Sequence, residues 1–268
     1  MRWAASLALL LAACAPAQQG QRAPDGLPFI VSLNPCTDAV LAEIAAPGQL
    51  LAISHYSQEP DSTSMPFEQA LEYQVTGGTV EEVLALDPDI VVAGSFLPPA
   101  TMSAFERLGM RVETFGIAST FADSEEQVSR LAAMAGRKAE GEALNTRIAR
   151  ALTENRWDGE PVSALLWQQG GIVAGPDSLV SAMLAHTGFS SQSAARGLGQ
   201  GAYLPLERVL ADPPQVILAA GGERALAHAA LDVLDSTHHA RIDPSLTYCG
   251  GPTIIRAVER LAQVRRSV

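Results

Sequence analysis

The side chains able to do chemistry are few and scattered. His55 is followed by Tyr56, and both residue types serve as axial ligands to haem iron. Adjacent loop residues ordinarily point apart, however, and a lone histidine is more often hydrogen-bonded than ligating. Ser32, Asp38 and His55 supply the residue types of a nucleophile, an orienting acid and a base, yet nothing in their spacing brings them together. His238 and His239 lie side by side in a segment that reads as loop. They lack the spaced imidazole and carboxylate set of a direct transition-metal site. Gly197-Leu198-Gly199-Gln200-Gly201 is rich in glycine but has no strand-turn-helix context, so it reads as a mobile loop rather than a phosphate cradle. There is no Gly-x-Ser-x-Gly elbow, no P-loop, no His-Glu-x-x-His and no Gly-x-Gly-x-x-Gly after the first strand. The chain is therefore expected to bind rather than react, with an exported hydrolase as the minor alternative.

The elements that must position these residues begin after a targeting segment. Met1 and Arg2 precede an apolar run from Trp3 through Leu11, which ends in Leu11-Ala12-Ala13-Cys14. A basic start, a short apolar stretch and small residues before the cut mark a secretory signal over residues 1–13; a membrane span needs about 20 apolar residues. The Leu-Ala-Ala-Cys sequence resembles the bacterial lipobox, which would make Cys14 the lipid-modified first residue; cleavage near Ala17 is the alternative. Residues 14–27 lack periodicity and read as a flexible tether. Removing residues 1–13 would leave 255 residues and take away Arg2, moving the formal charge from −11 to −12. Such an acidic chain without a basic tract argues against nucleic acid as a partner. A hydrophobic content of 47% is ample for buried cores.

From residue 28 the pattern is α/β, with short aliphatic runs alternating with helical stretches. Strands are expected at Phe29 to Leu33, Asp89 to Ala93, Arg111 to Phe115, Val162 to Trp167 and Gln215 to Ala219. Helices are expected at Cys36 to Ile44, Thr79 to Leu86, Met102 to Leu108, Ser178 to His186, Leu204 to Leu210 and Pro252 to Val264. Thr79 and Glu82 fit a capping box, and Gly109 a helix stop. The halves echo one another: Val80 to Val92 and Leu206 to Leu218 each contain an acidic helix, a proline turn and a buried strand. Between them, residues 122–156 carry Val128, Leu131, Met134, Leu144, Ile148 and Leu152 at helical spacing. If unbroken, this helix would reach ~50 Å at 1.5 Å per residue; Gly136 and Gly141 are its weak points. The expected architecture is two Rossmann-like lobes with parallel sheets, 28–121 and 157–268, joined by a single long backbone helix.

The sequence resembles the periplasmic binding proteins of the ABC importers for cobalamin, ferric siderophores or haem, from about residue 28 to the C-terminal helix. The resemblance is carried by Ile30-Val31-Ser32-Leu33-Asn34-Pro35, Ala52-Ile53-Ser54-His55-Tyr56-Ser57, Gly78-Thr79-Val80-Glu81-Glu82-Val83-Leu84-Ala85-Leu86-Asp87-Pro88-Asp89-Ile90-Val91-Val92-Ala93 and Leu206-Glu207-Arg208-Val209-Leu210. In this family a long helix links two α/β lobes, and the ligand sits between them against loops at the C-terminal strand ends. The resemblance thus implies a ligand site made by Asn34, Pro35 and Cys36, His55 and Tyr56, Ser95 and Phe96, Gln168 and Gln169, Tyr203, and Tyr248 and Cys249. Tyr56 falls where cobalamin-binding members carry a ligand-contacting tyrosine. Their cleft tryptophans correspond here to glycine or smaller residues near Gly77 and Gly94. Glu81 and Glu207 match the acidic residues, one per lobe, that members present to arginines of the permease dimer, where paired charges set register and encounter rate.

Several expectations follow from that resemblance. The protein has no cofactor of its own, although the ligand carries cobalt or iron. Its partners are a small-molecule metal chelate and a permease dimer with ATPase subunits, and it meets the membrane only through lipid, on the periplasmic side. The order of ligands is corrinoid, then ferric siderophore, with Arg196 and Arg241 as the few candidates for an anionic chelate, then haem. Cys36 and Cys249 would lie at the cleft, one per lobe, and three readings of them stand open. In an oxidising compartment two exported cysteines pair by default if their Cα atoms come within about 7 Å. Alternatively, Cys36, near a helix N-terminus, would have a lowered pKa and ligate a soft metal centre. The third reading is two thiols with no joint role.

Overall fold

The computed structural model describes residues 26–222 and 229–268. The signal segment, Cys14 and most of the tether lie outside these residues. The first lobe contains β1 (Ile30–Ser32), α1 (Pro35–Ile44), β2 (Leu50–Ser54), a 3-10 turn (His55–Gln58), α2 (Phe67–Ala70), β3 (Val75–Thr76), α3 (Val80–Leu86), β4 (Ile90–Gly94), α4 (Pro99–Arg107) and β5 (Arg111–Phe115). Its sheet has the order β3-β2-β1-β4-β5, and every pairing is parallel. The strands are short aliphatic runs buried on both faces, as a parallel sheet covered by helices requires. The order reverses between β1 and β4, so the loops after these strands diverge and open a crevice at their C-terminal ends.

The second lobe contains β6 (Val162–Gln168), β7 (Ile172–Val173), α7 (Leu179–His186), β8 (Phe189–Ser191), α8 (Gln192–Ala195), β9 (Ala202–Tyr203), α9 (Leu206–Ala211), β10 (Val216–Ala220), β11 (His238–Ile242) and α10 (Thr253–Arg266). Its sheet follows β11-β10-β6-β7-β9, with β8 also pairing with β6. This sheet is mixed, a departure from the all-parallel expectation: β7 runs antiparallel to both β6 and β9. The tight turn Gln169–Gly171, with Gly170 at φ 72°, folds the chain straight back from the end of β6. His238 and His239 belong to strand β11, not to a loop, because they pair in parallel register with Val216 and Ile217. The glycine-rich 197–201 segment is pinned rather than mobile: Gln200 accepts from the Gly175 amide at 2.8 Å, and the Gly201 amide donates to Val173 at 3.1 Å.

The largest correction concerns residues 122–156. The single long helix is two helices, α5 (Phe121–Met134) and α6 (Lys138–Glu154), folded back on one another. Gly136 at φ 70° makes the turn, a left-handed backbone that glycine adopts at no steric cost. The Asn145 side chain of α6 donates to Glu125 O at 3.2 Å and to Ser129 Oγ at 3.1 Å on α5, so the pair is antiparallel. At Gly141 the helices touch so closely that a side chain would collide with Ala132. The apolar spacing that read as one continuous stripe is two stripes facing a common core. That core joins Ile30, Val40, Leu41 and Val92 of the first lobe, Val128, Leu131, Leu144 and Ile148 of the hairpin, and Leu166, Leu218, Ile254 and Val258 of the second lobe. The turn is fastened to α1 and to the loop after it, since Arg137 donates to Ile44 O at 3.0 Å and Gln49 to Ala135 O at 2.7 Å. Replacing Gly141 by Val should wedge α5 from α6 and cost about 1–3 kcal/mol, read as a lowered urea midpoint at unchanged slope.

Candidate functional site

The strand-end loops of both lobes meet at one depression. It has a cavity volume of about 50 Å3, is open to solvent, and is lined by Asn34, Cys36, Thr37, Phe96, Phe115, Gly116, Ile117, Ala118, Gln127, Tyr248, Cys249 and Gly250. That volume is well below the roughly 300–1,000 Å3 of enclosed small-molecule sites, so the depression is a shallow floor between the lobes rather than a closed pocket. None of these lining side chains is charged. Phe96 and Ile117 are 78% and 69% exposed, an unusual placement for large apolar side chains on two neighbouring loops, and Tyr248 faces them from the second lobe.

Five of the residues expected at the site line this depression: Asn34, Cys36, Phe96, Tyr248 and Cys249. The others stand around it at the same sheet edges. Asn34 also has a structural duty, capping α1 by accepting the Cys36 amide at 2.8 Å, and Pro35 occupies the first helical turn. His55 and Tyr56 follow β2 in the 3-10 turn, their rings 4.0 Å apart and tilted by 35°. His55 Nδ1 lies 3.3 Å from the carbonyl of Thr76. Ser95 follows β4, its amide donating to Phe115 O at 2.9 Å. Gln168 ends β6, Gln169 begins the turn after it, and Tyr203 pairs with Ile172 in the same cross-sheet row as Gln168. Ile117 and Gln127 were not foreseen. The signal for Ile117 was available, because it stands two residues past the recognised strand ending at Phe115; Gln127 lies on α5 and reaches Gly116 O at 2.9 Å.

The two candidate arginines do not line the cleft. Arg196 turns away from the cleft to hold the C-terminal end of α9, donating to Arg208 O at 3.1 Å and to Asp212 O, with Asp212 Oδ2 at 3.1 Å. Arg241 lies exposed on the edge strand β11. Of the triad types, Ser32 lies against Asp38, which is fully buried and accepts from Ser57 Oγ at 2.7 Å and from the Ser54 amide at 3.0 Å, but His55 faces Thr76 instead and no triad forms. Burial pushes the Asp38 carboxyl up to about 8.

The cysteines resolve into a disulfide. Cys36, at the start of α1, is bonded to Cys249, in the loop before α10, with Cα atoms 5.1 Å apart. The bond therefore ties the lobes at the floor of the cleft. Three hydrogen bonds surround it: Ser64 Oγ donates to Cys249 Sγ at 2.8 Å, the Gly251 amide to Ser124 Oγ at 2.8 Å, and Thr253 Oγ1 to Ser64 O at 2.9 Å.

Two α/β lobes whose strand ends face one another across an uncharged, covalently tied cleft define a two-lobed binding protein. A family model described as periplasmic binding protein matches residues 30–237, and the chain belongs to that family. It is a binding protein rather than an enzyme, and the family implies a periplasmic location. Similar solved structures share its fold. The periplasmic vitamin B12 binding protein BtuF of Vibrio cholerae has TM-score 0.69 and 19% identity, over 89% of this chain and 96% of that one. The periplasmic haem-binding protein HutB of Vibrio cholerae has TM-score 0.72 and 16% identity, over 88% of this chain and 98% of that one. The haem-binding protein RhuT from Roseiflexus sp. RS-1 has TM-score 0.69 and 19% identity, over 89% and 98%. A search of curated protein sequences found no match.

Because the disulfide joins residues 213 apart in sequence, replacing Cys36 and Cys249 by serine should lower stability by about 2–5 kcal/mol. Urea unfolding of the variant against the oxidised protein checks this. Thiol titration of the denatured, unreduced protein lacking Cys14 should find no free thiol, and two free thiols would refute the pairing.

Proposed function

We propose that this protein is the substrate-capturing lipoprotein of an ABC importer, and that its ligand is an uncharged, amide-fringed metal chelate of the corrinoid type. The carrying observation is the cleft lining: aromatic and aliphatic side chains from both lobes, with the amides of Asn34 and Gln127 and no charged group. Apolar walls suit the face of a macrocycle, and fixed amides suit its amide-bearing periphery. Gln168 and Gln169 add two more amides along the second lobe's edge. A ferric siderophore falls behind, because Arg196 and Arg241 do not line the cleft, and Arg130, stacked over the Phe115 ring at 4.7 Å, is not itself among the lining residues. The fold likeness to a vitamin B12 binding protein is consistent with this reading.

Haem is the second reading, and His55 favours it. A hydrogen bond to the Thr76 carbonyl at 3.3 Å requires the proton on Nδ1, which leaves Nε2 unprotonated and able to ligate iron. Solved structures of haem-binding proteins are among those sharing the fold.

Delivery to the permease dimer, driven by its ATPase subunits, falls to Glu81 and Glu207. Each stands exposed in the first turn of a short helix, α3 or α9, one per lobe, and no salt bridge engages either among the described residues. Cys14, lipid-modified after loss of residues 1–13, would anchor the protein through the 14–27 tether to a bacterial membrane.

Calorimetric titration of the mature domain with cyanocobalamin, cobinamide, haemin and ferric siderophores should give a corrinoid Kd below ~10 μM, about −7 kcal/mol. Phe96→Ala should weaken that binding at least tenfold, about 1.4 kcal/mol. Haemin binding alone would move the assignment to the second reading, and no binding would reject both. Glu81→Lys combined with Glu207→Lys should abolish uptake while ligand affinity persists; unchanged uptake would reject the docking assignment.

A further inference from the structure

The two side-chain amides on the cleft floor have each committed one end to the fold, and the committed ends are opposite. Asn34 caps α1, its Oδ1 accepting the Cys36 amide at 2.8 Å. Gln127 of α5 crosses to the loop after β5, its Nε2 donating to Gly116 O at 2.9 Å. These partners fix which way each amide faces: reversing Asn34 would set N–H against N–H, and reversing Gln127 would set oxygen against oxygen. The ends left over are complementary. Asn34 Nδ2 is a donor and Gln127 Oε1 an acceptor, and neither has a hydrogen-bond partner among the described residues. Asn34 Nδ2 lies over the backbone at the end of β4, where a Cβ on Gly94 would come within 2.6 Å of it, so the glycine gives the amide its room.

The rest of the floor adds no charge and little competition. Thr37 gives its hydroxyl proton to Asn34 O at 3.0 Å and lies 2.8 Å from Ser32 Oγ. The two sulfurs are bonded to one another. Tyr248 brings a hydroxyl able to give or accept, and Arg130, over the Phe115 ring at 4.7 Å, is not among the lining residues. At about 50 Å3 the depression takes a group of only a few heavy atoms, given that one water fills about 30 Å3 of liquid. A primary carboxamide is such a group and carries both halves of the match. Its carbonyl accepts from Asn34 Nδ2, and its N–H donates to Gln127 Oε1. A carboxylate would turn a lone pair on Gln127 Oε1 with no counter-charge in the lining, and an ammonium would leave Asn34 Nδ2 unpaired. An ester carbonyl satisfies Asn34 but has no proton for Gln127.

We infer that Asn34 and Gln127 form a carboxamide-recognition subsite, which seats one amide-bearing arm of the ligand's periphery in the floor and rejects an acid, amine or ester in its place. The inference rests on the cleft reading above and sharpens it from an amide-fringed ligand to a particular pair of contacts. Both side chains are already anchored to backbone atoms. They therefore lose little rotamer freedom when the arm arrives, and the directions of donor and acceptor are set beforehand.

Calorimetric titration of the mature domain with two corrinoids of different fringe tests the match. Dicyanocobinamide carries primary amide arms, whereas the heptamethyl ester of dicyanocobyrinic acid carries ester arms around the same ring. The wild type should prefer the amide probe by about tenfold, the worth of one hydrogen bond made or left unpaired. Gln127→Leu removes the acceptor from a partly exposed helix position, where leucine is a good helix former. It should weaken the amide probe by about tenfold and leave the ester probe within about twofold, because the ester has no N–H to give. Asn34→Asp keeps an oxygen to cap α1 but replaces the donor, and should weaken both probes. Equal loss of both probes in Gln127→Leu marks a structural role alone and overturns the inference, as does undiminished binding of the amide probe. If the wild type binds neither corrinoid, the cleft reading fails, and acetamide judges the pair by itself. The Asn34 side-chain N–H resonances should shift saturably with acetamide in the wild type and not in Gln127→Leu; the same response in both proteins, or none in the wild type, overturns the subsite.

Discussion

The cleft owes its shape to one seam, where residues 249–256 of the second lobe sit on the N-terminal ends of α1 and α5. A disulfide from Cys36 to Cys249 crosses it. Beside the bond, the Ser64 carbonyl accepts from both Thr253 Oγ1 at 2.9 Å and Arg256 at 2.6 Å, and the Gly251 amide reaches Ser124 Oγ at 2.8 Å. A hydrogen bond of this kind contributes only about 1 kcal/mol net. Backed by an apolar core that runs unbroken through both lobes and the α5–α6 hairpin, however, the set leaves no free hinge. A large closure would have to tear buried packing apart, which is far costlier than any single hydrogen bond. The ligand therefore meets a cleft already formed, and little of its binding free energy is spent on ordering the site.

The distribution of charge argues in the same direction as the shape. The chain carries a formal charge of −11, yet the cleft lining carries none. Several cations are paired elsewhere: Arg111 with Glu113, Arg147 with Glu43, Arg150 with Glu154 and Arg196 with Asp212. Most of these pairs are exposed and add little to stability, about 0–1 kcal/mol each. The net charge matters more for binding, because an anionic ligand would be repelled at a distance by the net field and would meet no charged lining side chain on arrival. A neutral chelate suffers neither penalty.

The lobes were legible in the sequence because their strands are short aliphatic runs bounded by proline, glycine or a capping residue. Ile90–Gly94 lies within a residue of its expected place, and Thr79 does cap α3. The capping box there is only half made, since the Glu82 carboxylate turns to Thr76 Oγ1 at 2.8 Å and to the Gly77 amide at 2.7 Å instead of back to Thr79. The hairpin was misread because apolar spacing records which face is buried and not whether the helix continues: Val128 and Leu144 face the same core from opposite directions. Strand β11 escaped notice because edge residues such as His238 and Arg241 are polar and lie half in solvent. Arg196 was misassigned because two of its partners are backbone carbonyls, which no side-chain pattern announces.

Rigidity also constrains what a permease can sense. In the first lobe, His55 is tied to Thr76 at 3.3 Å and Thr76 to Glu82 at 2.8 Å, next to the proposed docking residue Glu81. In the second, Tyr203 lies four residues before Glu207, and the Leu204 between them is held by Trp167 Nε1 at 3.1 Å and by the Gly171 carbonyl at 2.8 Å. Cleft edge and docking helix are thus one body within each lobe, and the seam fixes one lobe against the other. Coupling by lobe movement needs an element with two discrete arrangements, and the seam withholds it. If Glu81 and Glu207 dock as proposed, their spacing offers the permease a fixed register. What separates a loaded protein from an empty one must then be local: the ligand filling the mouth between the two lobes, and the loops it touches there.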